Sequence, residues 1–198
     1  MTSDPTRLRI FNAARALFEQ KGEAGLSMRR IAAAIGITPM AIYKHYADKD
    51  ALLNALMLDG FADWEARVEA IAAPEPLAWV TGLGEAYLDF ALSQPRRYEA
   101  AFLLRASAAR RYPGDFAQGR SPVVSQLLAR LAAAQAQGLL RETPLLEIAL
   151  CFVALTQGLV SMYRAGRFAD EEEFRAAYRR TAGHCLHSFL KEQPSCAS

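Results

Sequence analysis

Hydrogen-bond donors cluster between residues 27 and 49 of this 198-residue sequence. They are hydroxyl, imidazole, guanidinium and ammonium groups, contributed by Ser27, Arg29, Thr38, Tyr43, Lys44, His45 and Lys49. Groups of these types bind phosphate oxygens and the edges of bases. The cluster therefore indicates a surface that binds nucleic acid.

The charge distribution points to the same part of the chain. The formal net charge is only +2, from 23 basic and 21 acidic side chains. Residues 1–50 contain eight basic and five acidic groups, whereas the remaining chain contains 15 basic and 16 acidic groups. The positive excess thus lies with the donor cluster, and a polyanion is not expected to bind elsewhere.

Two short helices with a tight turn are predicted to position these donors, over residues 27–34 and 38–46. The turn is Ile35-Gly36-Ile37, in which the glycine can adopt a positive φ. Apolar side chains form the predicted inner seam, at Ile31, Ala32, Ile35, Ile37 and Ile42. This is helix-turn-helix geometry, in which the second helix enters the DNA major groove.

The whole chain is predicted to be all-α. Alanine occurs 38 times, whereas valine, isoleucine and threonine together occur 20 times, and this balance favours helices over strands. Side-chain oxygens before prolines mark helix starts at Asp4, Thr38, Ser121 and Thr143, and further N-caps are predicted at Ser27, Asp48 and Asp170. Nine helices are predicted, at about 5–21, 27–34, 38–46, 48–72, 76–93, 95–111, 121–138, 143–165 and 170–191. The loop 111–119 is predicted to be mobile.

The N-terminal sequence resembles the TetR family of transcriptional regulators. The matching residues are Phe18, Gly22, Ile31-Ala32, Gly36-Ile37-Thr38, Tyr43, His45-Tyr46, Lys49 and Leu52-Leu53. The resemblance covers about residues 4–64 and departs from the family pattern at Glu23-Ala24-Gly25, while Pro39-Met40 lies where the family varies. It implies phosphate contacts by Ser27, Tyr43 and Lys49, and groove contacts by Arg29, Pro39, Met40, Lys44 and His45.

The expected DNA-binding segment, residues 4–64, is here called the reading head. It is small and makes few phosphate contacts, so a single reading head should bind DNA weakly. Two heads on successive major grooves restore affinity and require a palindromic operator. The sequence therefore predicts a homodimer on double-stranded DNA. Residues 4–64 are the expected DNA-binding domain, and residues 65–192 the expected ligand-binding and dimerisation domain.

The last two predicted helices carry apolar stripes that suit dimerisation. Helix 143–165 presents Leu146, Leu150, Val153 and Val160, and helix 170–191 presents Phe174, Tyr178, Thr181, Cys185 and Phe189. In the resembled family these two helices pair with their symmetry mates in a four-helix bundle. The alternative is that both stripes belong to the core of a monomer.

Large side chains in the middle of the chain suggest a site for a small effector. The candidates are Trp64, Trp79, Tyr87, Phe102, Phe152 and Gln157, of which the aromatic ones supply apolar volume and Gln157 a polar handle. The resemblance implies that an effector lowers DNA affinity, and the apolar lining favours a hydrophobic or aromatic molecule. Alternatively, the aromatic residues are ordinary core.

Signals for other protein classes are weak. Gly82-Leu83-Gly84 lacks the third glycine and the preceding strand of a dinucleotide site. His184, Cys185 and His187 lack a fourth metal ligand. We therefore expect no enzyme activity, no cofactor and no metal.

The chain is expected to be cytoplasmic. No signal peptide is expected at its start, and its three cysteines suit a reducing compartment. The apolar stretch Leu145–Tyr163 contains Glu147 and several polar residues, so it is predicted to be a buried soluble helix and not a membrane span.

The sequence thus predicts a ligand-responsive, homodimeric, DNA-binding repressor. The alternative is a helical ligand-binding or protein-interaction module that no longer binds DNA.

Overall fold

The structure is a computed structural model that describes residues 4–191. It confirms the all-α prediction, since this range holds ten α-helices, one 3-10 turn and a single isolated bridge in place of strands. The helices are α1 Pro5–Lys21, α2 Met28–Ile35, α3 Pro39–Tyr43, α4 Lys49–Glu69, α5 Pro76–Ser93, α6 Pro95–Phe102, α7 Gly114–Ala117, α8 Pro122–Ala136, α9 Leu145–Arg164 and α10 Glu171–His187. The 3-10 turn is Glu23–Gly25.

The described chain divides into two compact units. The first contains the chain up to Trp64 together with Leu92–Ala109, and the second contains Glu65–Ala91 and the chain from Arg110 onward. The long helices α4 and α5 therefore contribute to both units, and α6 belongs to the first.

The first unit is built around the apolar faces of α1, α2 and α3. Ile10, Ile31 and Ile42 come from these three helices, and all are fully buried. Burying one such side chain contributes about 1.5–3 kcal/mol. The same core takes in Leu56 from α4 and Leu104 from just after α6. Residues of five helices, α1 to α4 and α6, thus pack together in one core.

Helix α6 ends at Phe102, so the predicted helix 95–111 is too long by nine residues. Side chains of α4 bind the backbone beyond it: the Ser107 N–H donates to Asp50 Oδ1 at 3.2 Å, and the Ala108 N–H donates to Asn54 Oδ1 at 2.9 Å. These N–H groups are therefore not available to a helical ladder. The Ser107 hydroxyl also bonds to Asp50 and lowers the pKa of that carboxyl.

The second unit centres on the packing of α9 against α10. The rings of Tyr163 and Phe174 stack with their centroids 4.3 Å apart. Buried Tyr178 on α10 donates its hydroxyl to the Gly84 carbonyl of α5 at 2.9 Å. Helix α8 also packs against α9.

Helix α10 ends at His187, which is four residues before the predicted end. Beyond it the backbone pairs with the segment before α9: the Arg141 N–H donates to the Phe189 carbonyl at 3.0 Å, and the Lys191 N–H donates to the Leu139 carbonyl at 2.9 Å. This pairing, which includes the Leu140–Leu190 bridge, competes with further helix.

Most predicted caps are confirmed. Side-chain oxygens of Asp4, Ser27, Thr38, Asp48 and Asp170 each accept a backbone N–H of the first helical turn.

Two predicted caps are wrong, because neither Ser121 nor Thr143 makes a capping bond at its helix. The loop expected to be mobile contains α7, and Asp115 accepts from the Arg111 N–H at 2.7 Å and from the Arg120 guanidinium at 2.8 Å.

Candidate nucleic-acid interface

The turn between α2 and α3 sets the angle of the second helix. Gly36 has φ +69 in the left-handed region, and its N–H donates to the Ala32 carbonyl at the end of α2. The Ile37 N–H donates to the same carbonyl at 3.1 Å. Ala32 is buried and has a small side chain, which allows α2 and α3 to approach closely. The structure therefore contains the predicted helix-turn-helix.

Helix α3 turns one face inward and the other to solvent. Ile42 is fully buried, whereas Met40 is 71% exposed and Tyr43 is 47% exposed. Pro39 and Lys44 are also exposed. Regular α-helix spans only Pro39–Tyr43. After it, the Tyr46 N–H donates to the Ile42 carbonyl, and the Tyr46 side chain is buried in the core. The predicted groove residues of this segment thus share one open surface.

Two hydroxyl groups lie at the starts of the two helices. Ser27 Oγ accepts from the Arg30 N–H at 3.2 Å, and Thr38 Oγ1 accepts from the Ala41 N–H at 3.3 Å. In both interactions the hydroxyl acts as an acceptor, so its hydrogen remains available for a phosphate oxygen.

Some cationic side chains of the reading head already make hydrogen bonds within the chain, and others do not. Arg9 donates to the Ile35 carbonyl at 3.1 Å, and Arg30 donates to the Gly25 carbonyl at 3.4 Å. Arg29 and Lys44 are exposed, and neither has a hydrogen-bond or ion-pair partner among residues 4–191. A cation without an internal partner can bind DNA without first breaking a contact.

Two further predicted residues are paired within the head. His45 Nδ1 lies 2.9 Å from Asp4 Oδ2, so this side chain ties the start of α1 to the end of the reading segment. The Thr6 N–H, with a smaller contribution from His45, lowers the pKa of Asp4. Lys49 Nζ lies 3.3 Å from Glu23 Oε1 in an exposed pair. Sequence reasoning missed both partners, because each pair joins segments distant in sequence.

The predicted effector residues do not all lie in one unit. Trp64 and Phe102 belong to the first unit, where their rings meet edge to face with centroids 5.9 Å apart. Trp79 is buried in the second unit beneath Arg130, whose guanidinium carbon is 5.4 Å from the ring centroid. Tyr87 is buried in the same unit, so these aromatic side chains lie in packed surroundings.

Phe152 and Gln157, the remaining two candidates, lie on α9. Gln157 is half-buried, whereas buried Phe152 lines a cavity of about 260 Å³.

Three residues of the predicted dimer stripes are corrected. Val160, Phe174 and Tyr178 are at most 1% exposed within the single chain, so their side chains have no surface left for a second copy. They form the α9–α10 core instead. The other predicted residues keep some exposure, Leu150 being the most exposed at 38%. Partly buried are Leu146, Val153, Thr181, Cys185 and Phe189.

The open face of α9 shares only Leu150 with the predicted stripe. Its exposed residues include Leu150, Cys151, Ala154, Gly158 and Ser161. Their spacing of three and four residues marks one helix face, and several of them are small. Sequence reasoning chose the stripe with the largest side chains, of which Val160 packs fully inside the chain and Leu150 stays exposed.

The same helix is the one element of the described range that is long and apolar enough to cross a membrane. Core helices of soluble proteins also satisfy this criterion, so it is weak evidence for a span. Only 28% of the most apolar stretch of α9 is buried within the chain. Within residues 4–191, no three His, Cys, Asp or Glu side chains are grouped to hold a metal ion.

Both regions of the chain match family models. The model described as "Bacterial regulatory proteins, tetR family" matches residues 10–56, and "Tetracyclin repressor-like, C-terminal domain" matches residues 80–184. Among solved structures, a protein of unknown function from Rhodococcus sp. RHA1 has a TM-score of 0.75 at 24% identity, covering 96% of this chain and 98% of that one. A tetR-family regulatory protein from Rhodococcus RHA1 has a TM-score of 0.67 at 20% identity, covering 96% and 100%.

Curated relatives match over shorter stretches. The transcriptional regulator UidR of Escherichia coli is 41% identical over 56 residues, which cover 28% of this chain and 29% of UidR. The uncharacterised regulator YobS of Bacillus subtilis is 26% identical over 99 residues, covering 50% and 52%. The chain thus spans less than a third of UidR and about half of YobS. Since the two family models match more than half of the chain, it belongs to the TetR family of helix-turn-helix, DNA-binding transcriptional regulators.

Proposed function

We propose that this chain is a homodimeric repressor that binds a palindromic operator and leaves it when a small effector binds. The observation that carries the proposal is the open face of α3 and the start of α2, where Arg29 and Lys44 have no partner within residues 4–191. Keeping two cations exposed beside a solvent-facing Met40 suits a surface that is covered by a ligand of opposite charge.

On DNA, Arg29 and Lys44 reach base edges in the major groove, where such side chains pair with guanine O6 and N7. Pro39 and Met40 make apolar contacts there, which suit a thymine methyl group. Phosphates on either side bind the residues at helix starts and ends, Ser27, Tyr43 and Lys49. Residues 4–64 thus act as the DNA-binding domain.

A second copy of the chain covers the open face of α9. An apolar face that its own chain leaves open is unfavourable in water, and a two-fold axis lets one such face cover its identical mate. The dimer then presents two reading heads to half-sites about 34–36 Å apart. Residues 65–192 therefore hold the dimerisation and effector functions.

An effector needs only to favour the arrangement of heads that does not fit the operator. A coupling of about 1–3 kcal/mol lowers operator affinity by roughly 5–150-fold. Helix α4 contributes to both units and is the direct covalent route between an effector site in the second unit and the reading head. Such a regulator acts in the cytoplasm, where the DNA is, and needs no catalytic step.

The DNA site is tested by titrating labelled DNA from either side of the protein's own gene, with Arg29→Ala combined with Lys44→Ala. Loss of two base contacts per head is expected to weaken operator binding by about 100-fold or more. The control is Arg167→Ala, which removes an exposed cation of the second unit. Equal operator affinity of the double variant and the parent would refute the site. No specific binding by the parent chain would favour a helical module without DNA function.

Dimerisation is tested by sedimentation at micromolar concentration, where a species of twice the 21.8 kDa chain mass is expected. Ala154→Arg puts a charge on the open face of α9 and should yield the monomer. Because Ala154 is exposed in the single chain, the variant should still fold. Glu172→Arg, on an exposed position of α10, is the control. A dimer that survives Ala154→Arg would place the interface elsewhere.

A further inference from the structure

A cavity of about 260 Å³ lies between α5 and α10 in the second unit, partly open to solvent. Liquid water would fill this volume with about nine molecules. Pockets for drug-sized ligands begin near 300 Å³, so the cavity suits a somewhat smaller molecule. It lies apart from Trp79 and Tyr87, which do not line it.

The inner wall of the cavity is apolar. Phe152, Ala182 and Leu186 line it together with the Gly84 backbone. A methyl group at Gly84 would lie 3.1 Å from the Phe152 ring, which shows how closely α5 and α9 approach behind the cavity. The Tyr178 hydroxyl is held by the Gly84 carbonyl at 2.9 Å. The wall is therefore fixed in position and suits an aliphatic or aromatic body.

An ion pair stands among the lining residues. Arg179 donates through Nε and Nη2 to both carboxylate oxygens of Glu85, at 2.8–3.0 Å. The hydrogen bond to Glu85 raises the pKa of Arg179. A guanidinium is charged at neutral pH with or without such a partner.

Glu85 and Arg179 differ in how many further hydrogen bonds each can make. Glu85 already uses both oxygens on Arg179, whereas a guanidinium has five N–H donors and Arg179 spends only those on Nε and Nη2 here. Its Nη1 group has no partner within the described chain. The donor capacity left at the cavity therefore favours an acceptor group on a ligand, and the positive charge favours an anion.

We infer that the cavity binds a small amphipathic carboxylate, whose apolar body lies on Phe152 and Leu186 and whose carboxylate binds Arg179. The inference rests on the proposed effector response, for which it names a site and a ligand class. It narrows the expectation of a small hydrophobic or aromatic effector to one that also carries an acidic group.

The test uses octanoate as the probe and its uncharged analogue octanamide as the comparison, in calorimetric titrations of the DNA-free protein. Saturable octanoate binding is expected, with octanamide at least about tenfold weaker because it cannot make a charge-assisted bond. Absence of octanoate binding, or equal affinity for both probes, would overturn the inference.

Two substitutions separate the role of the cation from that of the ion pair. Arg179→Gln and Glu85→Gln both break the pair, which is exposed and contributes little to folding. Only Arg179→Gln should weaken octanoate, by about tenfold or more. Glu85→Gln removes a competing carboxylate and should leave octanoate affinity equal or higher. If both variants weaken binding equally, the pair acts only as a structural element.

A third substitution fills the cavity. Gly183 lines it, and nothing lies within 4 Å of a methyl group placed there, so Gly183→Leu can be accommodated while it occupies the space. Gly114→Leu is the matched control, since that glycine on α7 is equally open and does not line the cavity. Octanoate binding should fall only in Gly183→Leu. Operator titration without octanoate tests the proposed repressor separately, so failure of one leaves the other intact.

Discussion

Removing Lys49 should change how operator binding responds to salt. Lys49 is the first residue of α4 and forms an exposed pair with Glu23 in the 3-10 turn, at 3.3 Å. The pair joins two partly exposed side chains, so it contributes about 1 kcal/mol or less to folding. Lys49→Ala should therefore yield a folded protein, in which one proposed phosphate contact per head is missing.

The expected magnitude follows from counterion release. Each phosphate contact contributes about 0.9 to the slope of log affinity against log salt concentration. One contact per head is two per dimer, so the slope should become shallower by about 2 in Lys49→Ala. Between 50 and 200 mM salt, the parent should therefore lose about 12-fold more affinity than the variant.

Fluorescence anisotropy at four or five salt concentrations measures both slopes on the same operator. Glu23→Gln serves as the matched control, because it breaks the same pair and leaves the lysine in place. Its slope should equal that of the parent. The reasoning fails if Lys49→Ala leaves the slope unchanged, or if Glu23→Gln makes it equally shallow.

Three stability predictions concern the positions that shape the two units. Gly36→Ala should lower stability by about 1–2 kcal/mol in chemical unfolding, because the left-handed backbone disfavours a side chain; an unchanged midpoint would refute this. Gly60→Ala should lower the melting temperature, since the added methyl group would lie 3.0 Å from backbone atoms of α6, whereas Gly183→Ala in open space should raise it. Hydrogen bonding to Ser107 lowers the pKa of Asp50, so Ser107→Ala should lower the melting temperature at pH 7. This difference should vanish as the pH falls below the ordinary aspartate range near 3.9, where Asp50 becomes protonated in both proteins; a constant difference would show that Asp50 is not involved.

Predictions of helix bounds, turns and caps were confirmed where neighbouring residues alone determine the local backbone conformation. Helix α1 has the predicted bounds, and Gly36 has the predicted positive φ. Five predicted caps are present. An N-cap bond joins residues only two or three positions apart, so local sequence is enough to predict it. Such features depend on the backbone preferences of neighbouring residues, which the sequence states directly.

The sequence-based predictions were wrong where a distant segment binds the backbone N–H groups of a predicted helix or covers one of its faces. Helix α6 stops early because Asp50 and Asn54 of α4 bind the N–H groups after it. Val160 and Phe174 look like interface residues in the sequence, yet their own chain buries them. Periodicity reveals which side chains share a helix face, but not which neighbour covers that face.

The sequence by itself determined the all-α class and the helix-turn-helix, because local propensity, capping and spacing specify both. Only the tertiary structure decided which cations are already paired, which face of α9 is left open and where a cavity remains. Those outcomes depend on contacts between segments far apart in the chain, such as Lys49 with Glu23 and Arg179 with Glu85. They arise from packing in three dimensions, which the order of residues does not state.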